Sequence, residues 1–352
     1  MIKFLLILFI ISIISLPIFF TESSYYKGKD SDHFNGKSFF NPNEKNHNQK
    51  RGFFSYFIHK FNYEKKFGKA KWQENLIIVD QFKPLKIVND NSIHTTFIGH
   101  STFLIQTNGV NIITDPIYSN RASPFKFIGP KRAIIPGVKF EDLPKIDIVL
   151  ISHSHYDHMD ISTIKNLHKN FKPKFITGLG NCYFLNQIKK LNLKCHELDW
   201  NSKFELSPQL SFHFLPAIHW SKRMMFGRNA SLWGSFAIKS KSGNIYFAGD
   251  TGYGQHFKLA QKEFHEFKLA LLPIGAYKPV DFMLKYHLSP SQAVQAHIDL
   301  KSKKSIAMHY QTFKLSQENF DDPVIDLEKE KKLQKINNNF IALGVGGNLI
   351  LK

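Results

Sequence analysis

Cysteine is scarce in this 352-residue chain: only Cys182 and Cys195 occur, too few for a disulfide framework or a thiolate zinc site. Any metal must therefore be held by histidine and carboxylate. Arginine is also scarce, limited to Arg51, Arg121, Arg132, Arg223 and Arg228, so the formal charge of +19 (Lys+Arg 47 against Asp+Glu 28) is carried mainly by lysine. That excess draws anions. Nucleic acid, an anionic membrane surface and a phosphorylated substrate all meet it, as does plain compositional bias toward lysine. No internal repeat is visible, which excludes a solenoid or propeller. An apolar fraction of 43% excludes a disordered chain and leaves room for one large core.

What is present begins with residues 4–20, FLLILFIISIISLPIFF, an unbroken apolar run behind Lys3. Its length lies where a signal sequence and a short membrane anchor overlap. No small-residue cleavage site follows, so residues 1–22 are expected to be an uncleaved anchor, with a cleaved signal as the alternative. Lys3 then sits on the cytoplasmic side and the body outside, periplasmic or extracellular, anchored or exported. Residues 23–92 read as a basic, aromatic linker and N-terminal segment. Residues 21–50 have the composition of a solvated linker. Gly52 to Trp72 mixes aromatics with lysine, as an interfacial helix or an aromatic helix packed on the main domain would. From Ile93 to Lys352, short β-rich runs separated by turn residues form one catalytic-size domain.

The chemistry is concentrated in that domain. Asp147 to Ser152 reads as a buried strand running into His153-Ser154-His155-Tyr156-Asp157-His158. In extended backbone His153 and His155 project to the same side and can grip one ion. Asp157 and His158 follow at the entry to a helix over 161–169, with Asp160 as its N-cap, and are placed to hold a second ion nearby. Three more apolar runs lead to metal-type residues: 210–219 to His219, 244–250 to Asp250 and 305–309 to His309. Strands that deliver ligands at their carboxyl ends are how layered α/β folds build sites. His100 reads as a hydrogen-bonded core residue, with a place near the site as the alternative, and Asp115, followed by Pro116, as a turn or supporting aspartate. Ser154 lacks the elbow glycines of a serine nucleophile.

The run His153-x-His155-x-Asp157-His158, with His219, Asp250 and His309 behind it, resembles the metallo-β-lactamase superfamily from about Ile93 to the C-terminus. The resemblance implies an α/β (α+β) fold, an αββα sandwich holding two metal ions. The blocks TDPIYSNRASPFKFIGPKR (114–132), PAIHWSKR (216–223), LWGSF (232–236), FAGDTGY (247–253), PIGAYKP (273–279) and IAMHYQTF (306–313) are similar to N-acyl-phosphatidylethanolamine-hydrolysing phospholipase D and its bacterial relatives. Carried over by position, His153, His155 and His219 hold the first metal, Asp157, His158 and His309 the second, and Asp250 bridges them. His287 matches a histidine that faces the substrate phosphate. Two positions depart from the pattern: Tyr286 stands where the family has Gln, and Asp281 where it has a bulky aromatic.

Such a ligand set suits two Zn2+ ions, with Fe or Mn as alternatives. Paired cations of this kind lower the pKa of water to about 7 and make hydroxide available as the nucleophile. The catalytic residues are then Asp157, His287 and Asp250, and the substrate is a phospholipid or other phosphodiester met at a membrane surface. Hydrolysis of lactones or other carboxylic esters is the alternative. A nucleic-acid-binding or scaffold protein on the same fold is the third reading. Nucleic acid is not expected as a partner, because the resemblance implies a large inserted domain in nucleases of this superfamily and there is no room for one between Asp250 and His309. A scaffold would be expected to lose ligands, whereas all seven are present.

Overall fold

The computed structural model describes residues 24–42, 53–224, 227–336 and 338–352. In chain order the elements are α1 (Phe53–Phe67), β1 (Ile93–Gly99), β2 (Thr102–Thr107), β3 (Val110–Thr114), β4 (Ile148–Ile151), α2 (Ile161–Phe171), β5 (Lys174–Gly178), β6 (Cys195–Leu198), β7 (Ser202–Ser207), β8 (Leu210–Leu215) and β9 (Ser235–Ser240). Then come β10 (Ile245–Phe247), α3 (His256–Phe264), β11 (Phe267–Pro273), α4 (Val280–Met283), α5 (Pro290–Asp299), β12 (Ser302–Met308), α6 (Asp322–Leu333), β13 (Phe340–Ile341) and β14 (Asn348–Leu351).

The strands form two seven-stranded sheets, ordered β14-β1-β2-β3-β4-β5-β6 and β13-β12-β11-β10-β9-β8-β7. In the first, β14 through β3 pair antiparallel and β3 through β6 parallel. In the second, β7 through β10 pair antiparallel and β10 through β13 parallel. The inner parallel strands β4, β10 and β11 are near-continuous apolar runs, as burial on both faces requires, whereas the edge strand β6 is polar and part-exposed. Alternation decides which face meets which layer. On β4, Ile148 and Leu150 join the core shared with Phe212, Phe214, Phe247 and Leu271 of the second sheet, whereas Val149 and Ile151 pack outward with Ile164 and Leu167 of α2. The outer side of the second sheet is covered by α3, α5 and α6, through Phe257, Val294 and Leu327. The expected αββα sandwich is thus observed.

Helix α2 starts and stops as its sequence dictates. The Asp160 side chain accepts from the Ser162 amide, and Lys172 ends the helix in a left-handed conformation. At α5 a capping box joins Ser289 and Gln292, with Pro290 in the first turn, which fixes the chain just after His287.

Two expectations about the N-terminal part need correction. Residues 24–42 do not form a solvated linker: Tyr25, Phe34 and Phe39 are buried, and the amides of Tyr25 and Phe39 donate to the carbonyls of Ala230 and Asn229. The His33 Nε2 lies 2.7 Å from Asp199. Three large apolar side chains buried against the body outweigh the polar residues between them. Residues 77–86 are likewise strapped to the body, since Ile77 exchanges hydrogen bonds with Ala133 and Ile135, and Gln106 donates to the Leu85 carbonyl. The anchor expected over residues 1–22 lies outside the described residues. Among the described residues no helix is long and apolar enough to cross a membrane. The first of them, α1, is 15 residues long. At 1.5 Å per residue it spans about 22 Å, short of a bilayer core of about 30 Å. The membrane-anchored placement, with the body outside the cytoplasm, is therefore not supported. Helix α1 itself touches the body through His59, whose Nδ1 is 3.0 Å from Asp281, and leaves Ile58, Phe61 and Phe67 exposed.

Cys182 and Cys195 form a disulfide across 13 residues, joining the turn at Asn181–Tyr183 to the start of β6. The pairing closes a short loop at the edge of the first sheet.

Candidate metal centre

Every histidine and aspartate singled out as a ligand lies at the carboxyl ends of strands in the two sheets, and all converge on one place. After β4 the chain leaves the sheet at Ser152, held there by Asp115: the Ser152 amide donates to Oδ1 at 2.7 Å and its hydroxyl to Oδ2 at 2.6 Å. Asp115 Oδ2 also accepts from His158 Nδ1 at 2.6 Å. Gly249, at φ 58°, lets the segment before Asp250 press on Ser152; a Cβ there would sit 2.6 Å from the serine's own Cβ. The two sheets thereby meet at the site.

Hydrogen bonds on the far side of each ring set which nitrogen faces inward. His219 Nδ1 donates to the Tyr286 carbonyl at 2.9 Å, and His153 Nδ1 lies 2.9 Å from the Ser152 hydroxyl, whose proton is given to Asp115. Burial holds both imidazoles well below the usual histidine range, so each is neutral with a bare Nε2. Those nitrogens approach His155 Nδ1 to 2.8 and 3.2 Å. His155 is likewise pushed down to about 3, chiefly by burial. Three imidazole nitrogens converging this closely make a donor set that a divalent cation can take.

A second group adjoins the first. Asp157 Oδ2 is 2.9 Å from His100 Nε2, 3.2 Å from His158 Nε2 and 3.4 Å from His309 Nε2. Asp250 Oδ2 lies between the groups, 3.3 Å from His158, 3.2 Å from His309, 3.8 Å from His219 and 4.0 Å from His153. Burial works against charge here, but the opposed charges win. His309 rises to about 9 because Asp250 and Asp157 outweigh its desolvation, His158 is raised as well, and both aspartates fall well below the usual carboxylate range. His155 Nε2, His158 Nε2, His309 Nε2, His287 Nδ1 and Asp250 Oδ1 are buried without a hydrogen bond. Unsatisfied imidazole and carboxylate atoms gathered in one cavity fit divalent cations. His153, His155 and His219 could hold one ion, and Asp157, His158 and His309, with His100 beside them, form another possible set.

His287 stands at the mouth, its Nδ1 3.8 Å from Asp250 Oδ2 and its ring 5.2 Å from that of His219. Burial pushes it down to about 4, so it is a neutral imidazole with one N–H to donate. Asp281, which stands where the family has a bulky aromatic, meets His59 of α1.

Sequence reasoning missed the supports. Arg223 donates to the carbonyls of Ser154 and His155, each at 3.2 Å, and its guanidinium stacks 4.0 Å from the Tyr156 ring, clamping the histidine loop. Its place in a chain with so few arginines was the available signal. His100, read as a core histidine, is buried and also reaches Asp157; the Asp115 reading as a supporting aspartate agrees with its contacts. His100, Asp115 and His309 all hold positive φ, at 58°, 31° and 63°, so backbone strain collects at this site.

Residues 110–310 match a family model described as a beta-lactamase superfamily domain, more than half of the chain. The chain is 37% identical over 232 residues to the uncharacterized protein Rv0906 of Mycobacterium tuberculosis, covering 65% of this chain and 61% of that protein. It is 34% identical over 237 residues to N-acyl-phosphatidylethanolamine-hydrolyzing phospholipase D 1 of Caenorhabditis elegans (64% and 65%), and 30% identical over 299 residues to the mitochondrial enzyme of that name from Saccharomyces cerevisiae (77% and 63%). The chain thus spans less than two thirds of the length of these relatives. The structure of Igni18, a metallo hydrolase from Ignicoccus hospitalis, superposes with a TM-score of 0.57 at 22% identity over 74% of this chain and 99% of that one, a likeness of fold. The chain belongs to the metallo-β-lactamase superfamily of hydrolases.

Proposed function

We propose that this chain is a dinuclear metal-dependent phosphodiesterase of the phospholipase D type, acting on N-acyl-phosphatidylethanolamine-like lipids at a membrane surface. The observation that carries the reading is the place of Asp250, whose Oδ2 lies within 4.0 Å of ring nitrogens from both histidine sets. Similarity to two N-acyl-phosphatidylethanolamine-hydrolyzing enzymes supports the choice of bond. In this reading His153, His155 and His219 hold one cation, Asp157, His158 and His309 the other, and Asp250 is shared. When bound, Zn2+ or a similar divalent ion supplies Lewis acidity toward the phosphoryl oxygens and makes water acidic enough to react near neutral pH.

The chain's own groups do the rest. Asp157, fixed by His100, orients the attacking water and can accept its proton. Water adds to phosphorus, the bond to the ethanolamine oxygen breaks, and the products are phosphatidic acid and N-acylethanolamine. His287 donates its N–H to a non-bridging oxygen as charge develops there. Asp115 and Arg223 keep His158 and the 153–156 backbone in place. The +19 charge raises the local concentration of an anionic substrate.

The test is turnover of N-acyl-phosphatidylethanolamine vesicles, a soluble phosphodiester and a lactone panel by the purified full chain in 18O-water. The proposal expects 18O in phosphatidic acid and none in N-acylethanolamine. Lactone turnover with no phosphodiester cleavage would replace it with the carboxylic-ester reading.

A further inference from the structure

The chain carries an exposed apolar feature that the hydrolytic site does not use. Residues 121–131 form a tight hairpin, closed by the antiparallel bridge between Arg121 and Lys131 and by hydrogen bonds from the Ala122 amide to Pro130 and from Arg121 Nη1 to the Gly129 carbonyl. At its tip Phe125, Phe127 and Ile128 are 55%, 80% and 58% exposed, and the Phe125 and Phe127 rings lie 5.9 Å apart. The tip is built rather than slack. Gly129 turns the chain at φ 103°, where a Cβ would strike the Ser123 side chain at 2.7 Å. Arg121, Lys126 and Lys131 flank the rings, and no acidic residue occurs between Asp115 and Glu141.

The hairpin is rooted in the wall of the metal centre. Ala122 packs with Phe313 and Leu315, and Arg132, just past the hairpin, lies 4.9 Å over the Phe313 ring. The Phe313 ring centroid is also 5.3 Å from that of His100, which holds Asp157. On the same strip, Lys314 Nζ donates to the carbonyl of Ala70, at the exit of α1. That helix also presents exposed Ile58, Phe61 and Phe67 together with Lys60, Lys65 and Lys66. Two apolar-basic features thus spring from either side of one segment beside the site.

We propose that the Arg121–Lys131 hairpin is a bilayer-contacting element whose partner is an anionic lipid surface, Phe125, Phe127 and Ile128 entering the interface while Arg121, Lys126 and Lys131 meet the headgroups. The inference rests on the lipid-substrate reading and adds the surface on which that substrate is met. Aromatic side chains interleaved with cations suit such a surface: rings partition into the interfacial region, and each nearby lysine adds attraction to anionic headgroups. The exposed rings call for an apolar medium and the flanking cations for anions, and an anionic bilayer surface offers both together.

The experiment uses the full chain, wild type against Phe125→Ser/Phe127→Ser/Ile128→Ser and against Lys126→Glu/Lys131→Glu. Co-sedimentation is measured with vesicles of phosphatidylcholine alone and of phosphatidylcholine with phosphatidylglycerol. All substituted side chains are exposed, so circular dichroism and metal content should match wild type. The wild type should bind the phosphatidylglycerol vesicles more tightly, the triple variant should lose at least ~10-fold in partitioning, and the charge variant should lose a similar factor on the anionic vesicles only. Turnover of a soluble phosphodiester should be unchanged. No vesicle binding by the wild type, or equal binding by all three proteins, overturns the proposal. So does loss of soluble turnover in the triple variant, which would make the hairpin part of the site, or a change of oligomeric state with vesicle binding intact, which would make it a self-association face. Binding is read without turnover, so failure to cleave phosphodiesters would count against the proposed function while leaving the hairpin's role intact.

Discussion

The central strand of each sheet, β3 in the first and β10 in the second, is antiparallel to one neighbour and parallel to the other, and each is followed by an aspartate, Asp115 and Asp250. The two halves then diverge. Asp115 turns its carboxylate away from the cavity, onto Ser152 and the back of His158, and burial raises its pKa. Asp250 turns into the cavity, among nitrogens of both histidine sets, and is held well below the usual carboxylate range. The first half supplies a contiguous ligand loop and braces it; the second supplies single residues from separate strand ends that close the site. Equivalent places in similar architecture hold a carboxylate that braces the loop and one that, in the proposed reading, bridges two cations.

The largest effect should follow from removing the bridge. Asp250→Asn is expected to lower turnover at least ~100-fold and to reduce bound metal, since its charge serves both sets. Asp115→Asn should cost less, about 10- to 100-fold in metal affinity, because it acts through the orientation of His158. Metal titration of the two variants side by side checks the comparison, and equal losses would erase the distinction between brace and bridge.

His309→Ala sharpens it further. The substitution should chiefly empty the set formed with Asp157 and His158, leaving the His153, His155 and His219 set filled, with turnover down ~100-fold. Loss of all metal would mean that the sets cannot fill independently. His287→Ala is expected to keep the metal content of the wild type and lower kcat/KM if, as proposed, His287 faces substrate. A metal loss matching that of His309→Ala would make His287 a ligand.

The smallest effect concerns residues 24–42, whose Asn41 side chain donates to the His219 carbonyl at 2.9 Å and whose His33 meets Asp199. Burial lowers the pKa of His33, but Asp199 and Asp32 outweigh it and hold it above 6.5. A raised folded-state pKa stabilises below the unfolded value and is lost as pH rises through the folded one. Residues 24–42 should therefore be better protected from amide exchange at pH 5.5 than at pH 8.5, after correction for intrinsic exchange rates, and His33→Gln should remove the difference. Protection that increases with pH would contradict the sign.

How much of this could be read in advance follows the same division. The loop after β4 was legible because its ligands are contiguous and follow an apolar run, and α2 was legible from Asp160 and the spacing of Ile164 and Leu167. His219, Asp250 and His309 were reachable only through the repeated pattern of an apolar strand ending in a ligand. The braces were largely hidden. Tyr286 acts through its carbonyl, which leaves no mark on residue type, and Arg223 acts on backbone brought to it by the fold. Residues 24–42 misled because Tyr25, Phe34 and Phe39 have no helical or strand period, and Tyr25 meets Tyr183 and Phe184 only once the chain is folded, while Phe34 and Phe39 pack on each other and on Tyr26. The pairing of Cys182 with Cys195 was equally invisible until β6 was laid beside the Asn181–Tyr183 turn.

The central claim is that both sheets jointly hold two cations with Asp250 shared between them. Metal analysis by mass spectrometry of the purified full chain, dialysed against metal-free buffer, in wild-type and Asp250→Asn forms, tests it most directly. The account predicts two divalent ions per chain in the wild type and loss from both sets in the variant. A wild type with a single ion, or an Asp250→Asn protein that keeps two ions and normal turnover, would contradict it.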